Sequence, residues 1–107
     1  MPLSSQDLRI ALELKERIAH LAPLVDFRVF GSRARGDADE YSDMDVFMEF
    51  ETVDKALEER VSDTVWEVGF HRGVLISPLV FSRYEVEKSP LRVSPILKAI
   101  SEEGVRI

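Results

Sequence analysis

The sequence predicts an α+β fold of two layers, a small mixed sheet with helices mainly on one face. Three observations predict it. Segments of helical period alternate with short apolar runs, in the order helix, strand, short helix, strand, helix, strand, helices. Gly, Pro and Ser mark most of the junctions. The 107 residues, 45% apolar and 32% charged, form an ordinary mixture for a single domain over 1–107. No repeat, low-complexity run or linker interrupts the chain.

Each element has its own signal. Ser4 or Ser5 caps a first helix, with Asp7 in its first turn. Ile10, Leu14, Ile18 and Leu21 form its apolar stripe, and Pro23 stops it by Ala22. Residues 24–30 read as a strand with Val25, Phe27 and Val29 on one face. Ser32 opens a short helix to about Arg35, closed by Gly36. Residues 37–42 are a polar loop, where Tyr41 is expected to cover the sheet edge rather than stack on a base. Residues 43–50 are a second strand, with Met44, Val46 and Met48 turned to the core.

Thr52 or Asp54 caps a long helix from Lys55 to about Val68, ended by Gly69. Leu57, Val61, Val65 and Val68 are its inner stripe, and Trp66 is expected to anchor the core. Residues 74–81 form a near-continuous apolar strand, buried on both faces or carrying a patch that faces the site. Pro78 asks for an edge position or a bulge. Ser82 caps a short helix to Lys88, broken at Ser89-Pro90-Leu91. Ser94-Pro95 starts a last helix in which Ile96, Leu97 and Ile100 pack. Gly104 ends it, and an extended tail docks on the sheet or on a partner.

The stretch from Phe30 to Phe50 carries the chemistry. Gly31-Ser32 follows one strand, and Asp43-Met44-Asp45 opens the next after ten intervening residues. Side chains alternate along a strand, so Asp43 and Asp45 point the same way. Two carboxylates on one face repel unless a cation lies between them, and Mg2+ takes oxygen ligands together with substrate phosphates. Glycine lets backbone approach a ligand closely, and amides at a helix start attract anions. Arg33 and Arg35 add positive charge. Either fragment alone is ordinary turn chemistry. Together they form a phosphate cradle beside an acid pair, which is what nucleotidyl transfer requires.

Composition excludes other classes. The net charge of −6 opposes general affinity for nucleic-acid backbones and suits a basic partner. There is no cysteine, so neither disulfides nor thiolate metal sites exist. His20 and His71 lack ligand spacing. No apolar run has the length of a membrane span. The start of the chain, from Met1 to Asp7, lacks the pattern of a secretion signal, so a cytoplasmic protein is expected.

Gly31-Ser32, ten residues, then Asp43-x-Asp45 resembles the Gly-Ser-x10-Asp-x-Asp signature of the minimal nucleotidyltransferase (MNT) family, in the DNA polymerase beta superfamily. The wording Gly-Ser-Arg-Ala-Arg-Gly over 31–36 is similar to the family's usual form. Order and length of elements extend the likeness over nearly the whole chain. The resemblance implies a polymerase-beta-like nucleotidyltransferase core with part of one sheet face open to substrate. It implies Gly31 and Ser32 on the triphosphate, with Arg33 helping to neutralise it. It implies Asp43 and Asp45 as catalytic residues and Mg2+ ligands. It further implies transfer of a nucleoside monophosphate, commonly AMP from ATP. The partner it implies is a HEPN-domain protein, as for the MntA-like antitoxins of HEPN/MNT toxin–antitoxin pairs, some of which modify a toxin tyrosine.

The chain departs from the family pattern at one place. The family usually has a third acid on a neighbouring strand, and residues 74–81 contain none. Ser77 lies near the expected place. Glu67, Glu85 and Glu87 only flank the strand, and Glu49 shares the face of the aspartates. Two functions are therefore expected from different classes. One is a metal-dependent nucleotidyltransferase using ATP, with a hydroxyl of a partner protein as acceptor, since no second domain is evident to bind a small one. The other is a nucleotide-binding antitoxin that acts by masking its partner. Partners expected are a nucleoside triphosphate, a HEPN-domain protein and, as a further option, a second copy of the chain.

Overall fold

Ser4 starts the order of the fold. In the computed structural model, which describes residues 3–107, its hydroxyl accepts from the Asp7 amide at 3.0 Å. Met1 and Pro2, with which the expected leaderless start begins, lie outside the described residues. Helix α1 runs over Ser5–Ala19 and buries Ile10, Ala11, Leu14 and Ile18. It stops before Ala22, and Leu21 packs only partly.

Strand β1 spans Leu24–Phe30, α2 spans Ser32–Arg35 and β2 spans Met44–Phe50. Helix α3 spans Lys55–Arg72 and leads to β3, Ile76–Ser82. Then come α4 at Arg83–Glu87, a 3-10 turn at Pro90–Val93, α5 at Pro95–Glu103 and β4 at Val105–Arg106. The sheet order is β3-β2-β1-β4. β1 runs antiparallel to β2 and β4, while β2 and β3 are parallel across the α3 crossover. The sheet is therefore mixed, as the element order predicts.

Alternation divides the sheet into two faces. Phe27, Val29, Met44, Val46 and Met48 face α1 and α3 in the main core. On the other face Phe47 packs with Leu97 and Ile100 of α5. Helices thus lie mainly on one face, and α5 covers only part of the second. The tail docks on the sheet, where Val105 pairs with Val29 and Arg106 with Arg28.

Several expectations need correction, among them Val25 and Ile96, which are exposed rather than packed. Gly69 does not end α3. It is buried inside the helix, because a Cβ there would run into the Val74 carbonyl oxygen. Gly73, at φ +69°, takes the C-cap instead. Trp66 is not a core anchor but is 67% exposed, one position off the buried stripe, and stacks on Phe70. Tyr41 is 85% exposed and covers no edge. Of the two alternatives for β3, burial on both faces is set aside, while the edge position that Pro78 asks for is met. At the edge, Pro78 can sit without losing a ladder bond.

Candidate active site

Two strand ends build the site. Phe30, last in β1, pairs with Asp45, second in β2. Gly31 therefore passes beside the Asp45 carboxylate. Its backbone is at φ +76°, ψ −156°, a conformation close to glycine-only. A Cβ at this position would collide with Asp45 Oδ2. Conformation and space both demand glycine. Ser32 then opens α2, and Gly36 closes it at φ +84°. By helix geometry the amides of Ser32, Arg33 and Ala34 have no acceptor within α2.

Asp43 precedes β2 and is exposed, while Asp45 is half-buried. Both lie on the face opposite Met44, as alternation requires. Burial holds the Asp45 carboxyl above the ordinary carboxylate range. The neighbouring Asp43 charge raises it further, and Arg35 partly offsets this. The pair is thus charged, crowded and short of a counter-ion, which is the environment a hard cation relieves. The oxygen-only donor set fits a divalent metal, which Asp43 and Asp45 could hold.

The parallel register places Ser77 opposite Asp45. Its hydroxyl donates to Asp43 Oδ2 at 3.1 Å. Among the described residues no group of three or more Asp, Glu, His or Cys side chains could hold a metal. The flanking acids are engaged elsewhere. Glu67 pairs with Arg17 at 2.8 Å, Glu85 closes the Ser82 capping box, and Glu87 meets Arg83. Glu49 is buried at the far end of the strand, opposite Asp26. Its carboxyl is pushed up by burial and then by the nearby acids Asp26 and Glu87.

Arg33 is turned inward. Its Nη1 donates to Asp7 at 2.7 Å, and its Nε and Nη2 donate to the Ser42 carbonyl at 3.0 and 2.7 Å. Its side chain is only 10% exposed. The guanidinium is paired with Asp7 and braced on the Ser42 carbonyl, so it clamps the loop. Arg35 is the cation whose charge partly offsets the rise at Asp45. It is exposed and bonds loosely to Asp37 at 3.3 Å and Glu103 at 3.5 Å. The structure thus brings together Gly31, Ser32, Asp43 and Asp45, and draws Arg33 away to Asp7. Sequence reasoning missed Asp7 as a buried partner, since nothing local links residues 26 apart in the chain.

Comparison with known proteins shows the family and the fold. A family model described as "Nucleotidyltransferase domain" matches residues 11–106. No curated protein matches the sequence. A solved structure provisionally named as a minimal nucleotidyltransferase is 25% identical, with a TM-score of 0.66 over 94% of this chain and 92% of its own. A provisionally named nucleotidyltransferase from Sulfolobus solfataricus is 23% identical, with a TM-score of 0.52 over 92% of this chain and 77% of its own. The second likeness is one of fold alone.

Proposed function

The chain belongs to the nucleotidyltransferase domain family, and from that premise we propose that it transfers AMP from ATP to a hydroxyl of a partner protein. The observation that carries the reading is the Gly31 backbone packed against Asp45, with Asp43 beside it on the same open face. Gly31 and the first amides of α2 receive the triphosphate. Asp43 and Asp45 hold a divalent metal, for which we propose Mg2+; when bound it offsets phosphate charge and orients the phosphate chain. Arg35 adds exposed positive charge at the rim. The acceptor oxygen bonds to the α-phosphorus as the bond to the pyrophosphate oxygen breaks. Pyrophosphate leaves, and the hydroxyl proton passes to the solvent that reaches exposed Asp43.

A protein acceptor fits the net charge of −6 better than a nucleic acid does. The sequence likeness supports a HEPN-domain toxin as that protein, with this chain as a cytoplasmic antitoxin. Among the described residues no helix is long and apolar enough to cross a membrane.

A second reading has its own observation. Ser77, not a carboxylate, stands opposite Asp45. The site would then hold nucleotide without turnover, and the chain would act by masking its partner. Label transfer from α-labelled ATP with Mg2+ and a HEPN-domain protein separates the two. Label on the partner, lost in Asp43→Asn, supports transfer. Tight complex and ATP binding with no label would move the assignment to the masking protein.

A further inference from the structure

One apolar surface is used neither by the core nor by the acid pair. Trp66, Phe70 and Leu75 are 67%, 69% and 69% exposed. Trp66 and Phe70 stack with ring centroids 5.1 Å apart. With Pro78 they line a groove of about 430 Å³ between α3 and β3. Single exposed apolar side chains are ordinary, but four in one groove mark a contact surface.

The groove's chemistry selects its occupant. β3 is an edge strand, yet Pro78 at its centre has no N–H to offer, so the edge resists an added strand. Docking must therefore use side chains, as an amphipathic helix in a groove does. Glu59, Asp63, Trp66 and Phe70 recur at spacings of four, three and four, so acids continue the same stripe of α3. Asp63 and Glu67 flank Trp66 in an adjoining hollow. A complementary helix carries an apolar ridge and a basic flank. A second copy of the chain offers no basic side chain in this stripe to answer Glu59 and Asp63, whereas a basic helix does.

The groove opens on the α3 side of β3 and the acid pair on the other side, but one end of the groove, at Leu75, lies at the strand end that carries the acids. The Leu75 carbonyl accepts from the Met44 amide at 2.9 Å, directly beside Asp43. Ser77, two residues on, donates to Asp43. We infer that the α3–β3 groove docks an apolar and basic helix of the acceptor protein and so presents its hydroxyl to Asp43 and Asp45. The docking stands on the surface itself, while the presentation rests on the transfer reading above.

Trp66 is the only tryptophan, so its fluorescence reads this groove alone. The probes are two synthetic helical peptides with one leucine ridge, flanked by lysine in one and by glutamate in the other. The lysine peptide shifts Trp66 emission to the blue in a saturable way, and the glutamate peptide does not. Phe70→Ser, an exposed change whose folding circular dichroism verifies, weakens the lysine peptide about tenfold. No shift with either peptide, or equal shifts with both, overturns the inference. A blue shift on concentrating the protein alone also overturns it, in favour of self-association. Asp43→Asn keeps the shift and loses transfer. If the wild-type chain shows the shift but transfers no label, the transfer reading fails and the groove stands. If transfer proceeds and the shift is absent, the groove fails alone.

Discussion

Removing Asp7 tests whether Arg33 is a structural clamp. The two side chains meet at 2.7 Å and are only 12% and 10% exposed. Stripping one partner from such a pair leaves an uncompensated buried charge, at a cost of about 3–5 kcal/mol. Arg33 keeps its two bonds to the Ser42 carbonyl, which places Asp7→Ala near the low end, about 3 kcal/mol. With a urea m-value of about 1.5 kcal/mol/M, the unfolding midpoint falls by about 2 M. Arg33→Met in the same chain removes the stranded charge, so the double variant recovers much of the loss. The Ser42 carbonyl is released as well, and Ser42 precedes Asp43. Arg33→Met alone therefore weakens metal binding without touching the metal. Urea unfolding of the two single variants and the double variant closes the cycle. Purely additive losses, each below about 1 kcal/mol, would refute the clamp, since exposed pairs behave that way. Arg33→Met that weakens ATP binding at unchanged stability would return Arg33 to the triphosphate.

Three further outcomes follow from the site. Gly31→Ala costs about 1–3 kcal/mol for its backbone conformation and pushes on Asp45, so calorimetry shows lost metal binding together with a lower Tm. Asp45→Asn abolishes transfer yet stabilises the metal-free protein at neutral pH. The sign follows from the raised carboxyl: the native state holds the Asp45 proton more tightly than the unfolded state does. Stability therefore falls as pH rises from the ordinary Asp range through the raised native value, and the variant's advantage vanishes below that window. A flat difference between Asp45→Asn and the parent from acid to neutral pH would contradict this. Ser77→Asp adds a third carboxylate beside Asp43 and tightens Mn2+ binding in a titration, whereas Ser77→Ala frees Asp43 and leaves affinity unchanged or lower.

Local signals were legible in the sequence and long-range pairings were not. Ser4, Asp54, Ser82 and Ser94 each cap the helix that follows, because capping is written within four residues. Gly31, Ser32, Asp43 and Asp45 converge because a turn and strand parity dictate it. Trp66 was misread because hydrophobicity tempts a core assignment, while position on the helix puts it one residue off the buried stripe. Gly69 looked like a helix end, but its smallness serves a close approach to Val74. Which residue of β3 faces Asp45 is set by the parallel register, and no local pattern fixes a register across an 18-residue helix. The Asp7–Arg33 pair is invisible for the same reason.

The missing third acid can be argued from strand geometry. Glu49 shares the face of Asp45, but four residues along a strand span about 13 Å at roughly 3.3 Å each. A divalent ion reaches its oxygen ligands within about 2.6 Å, so one ion cannot be shared between them. Phe47 stands between the two acids, packed with Leu97 and Ile100. α5 therefore divides this face of the sheet into a covered, apolar part and an open part holding Asp43, Asp45 and Ser77. A further oxygen ligand can arrive only at the open part, from the nucleotide's own phosphates or, as a carboxylate, from a protein that docks beside β3. The groove next to Leu75 is where such a protein would sit. An acid of that protein, reaching round the β3 edge to the face of Ser77, would complete the metal site only in the complex. Metal affinity should then rise when the partner binds, and equal Mn2+ affinity for the free chain and the complex would remove that coupling.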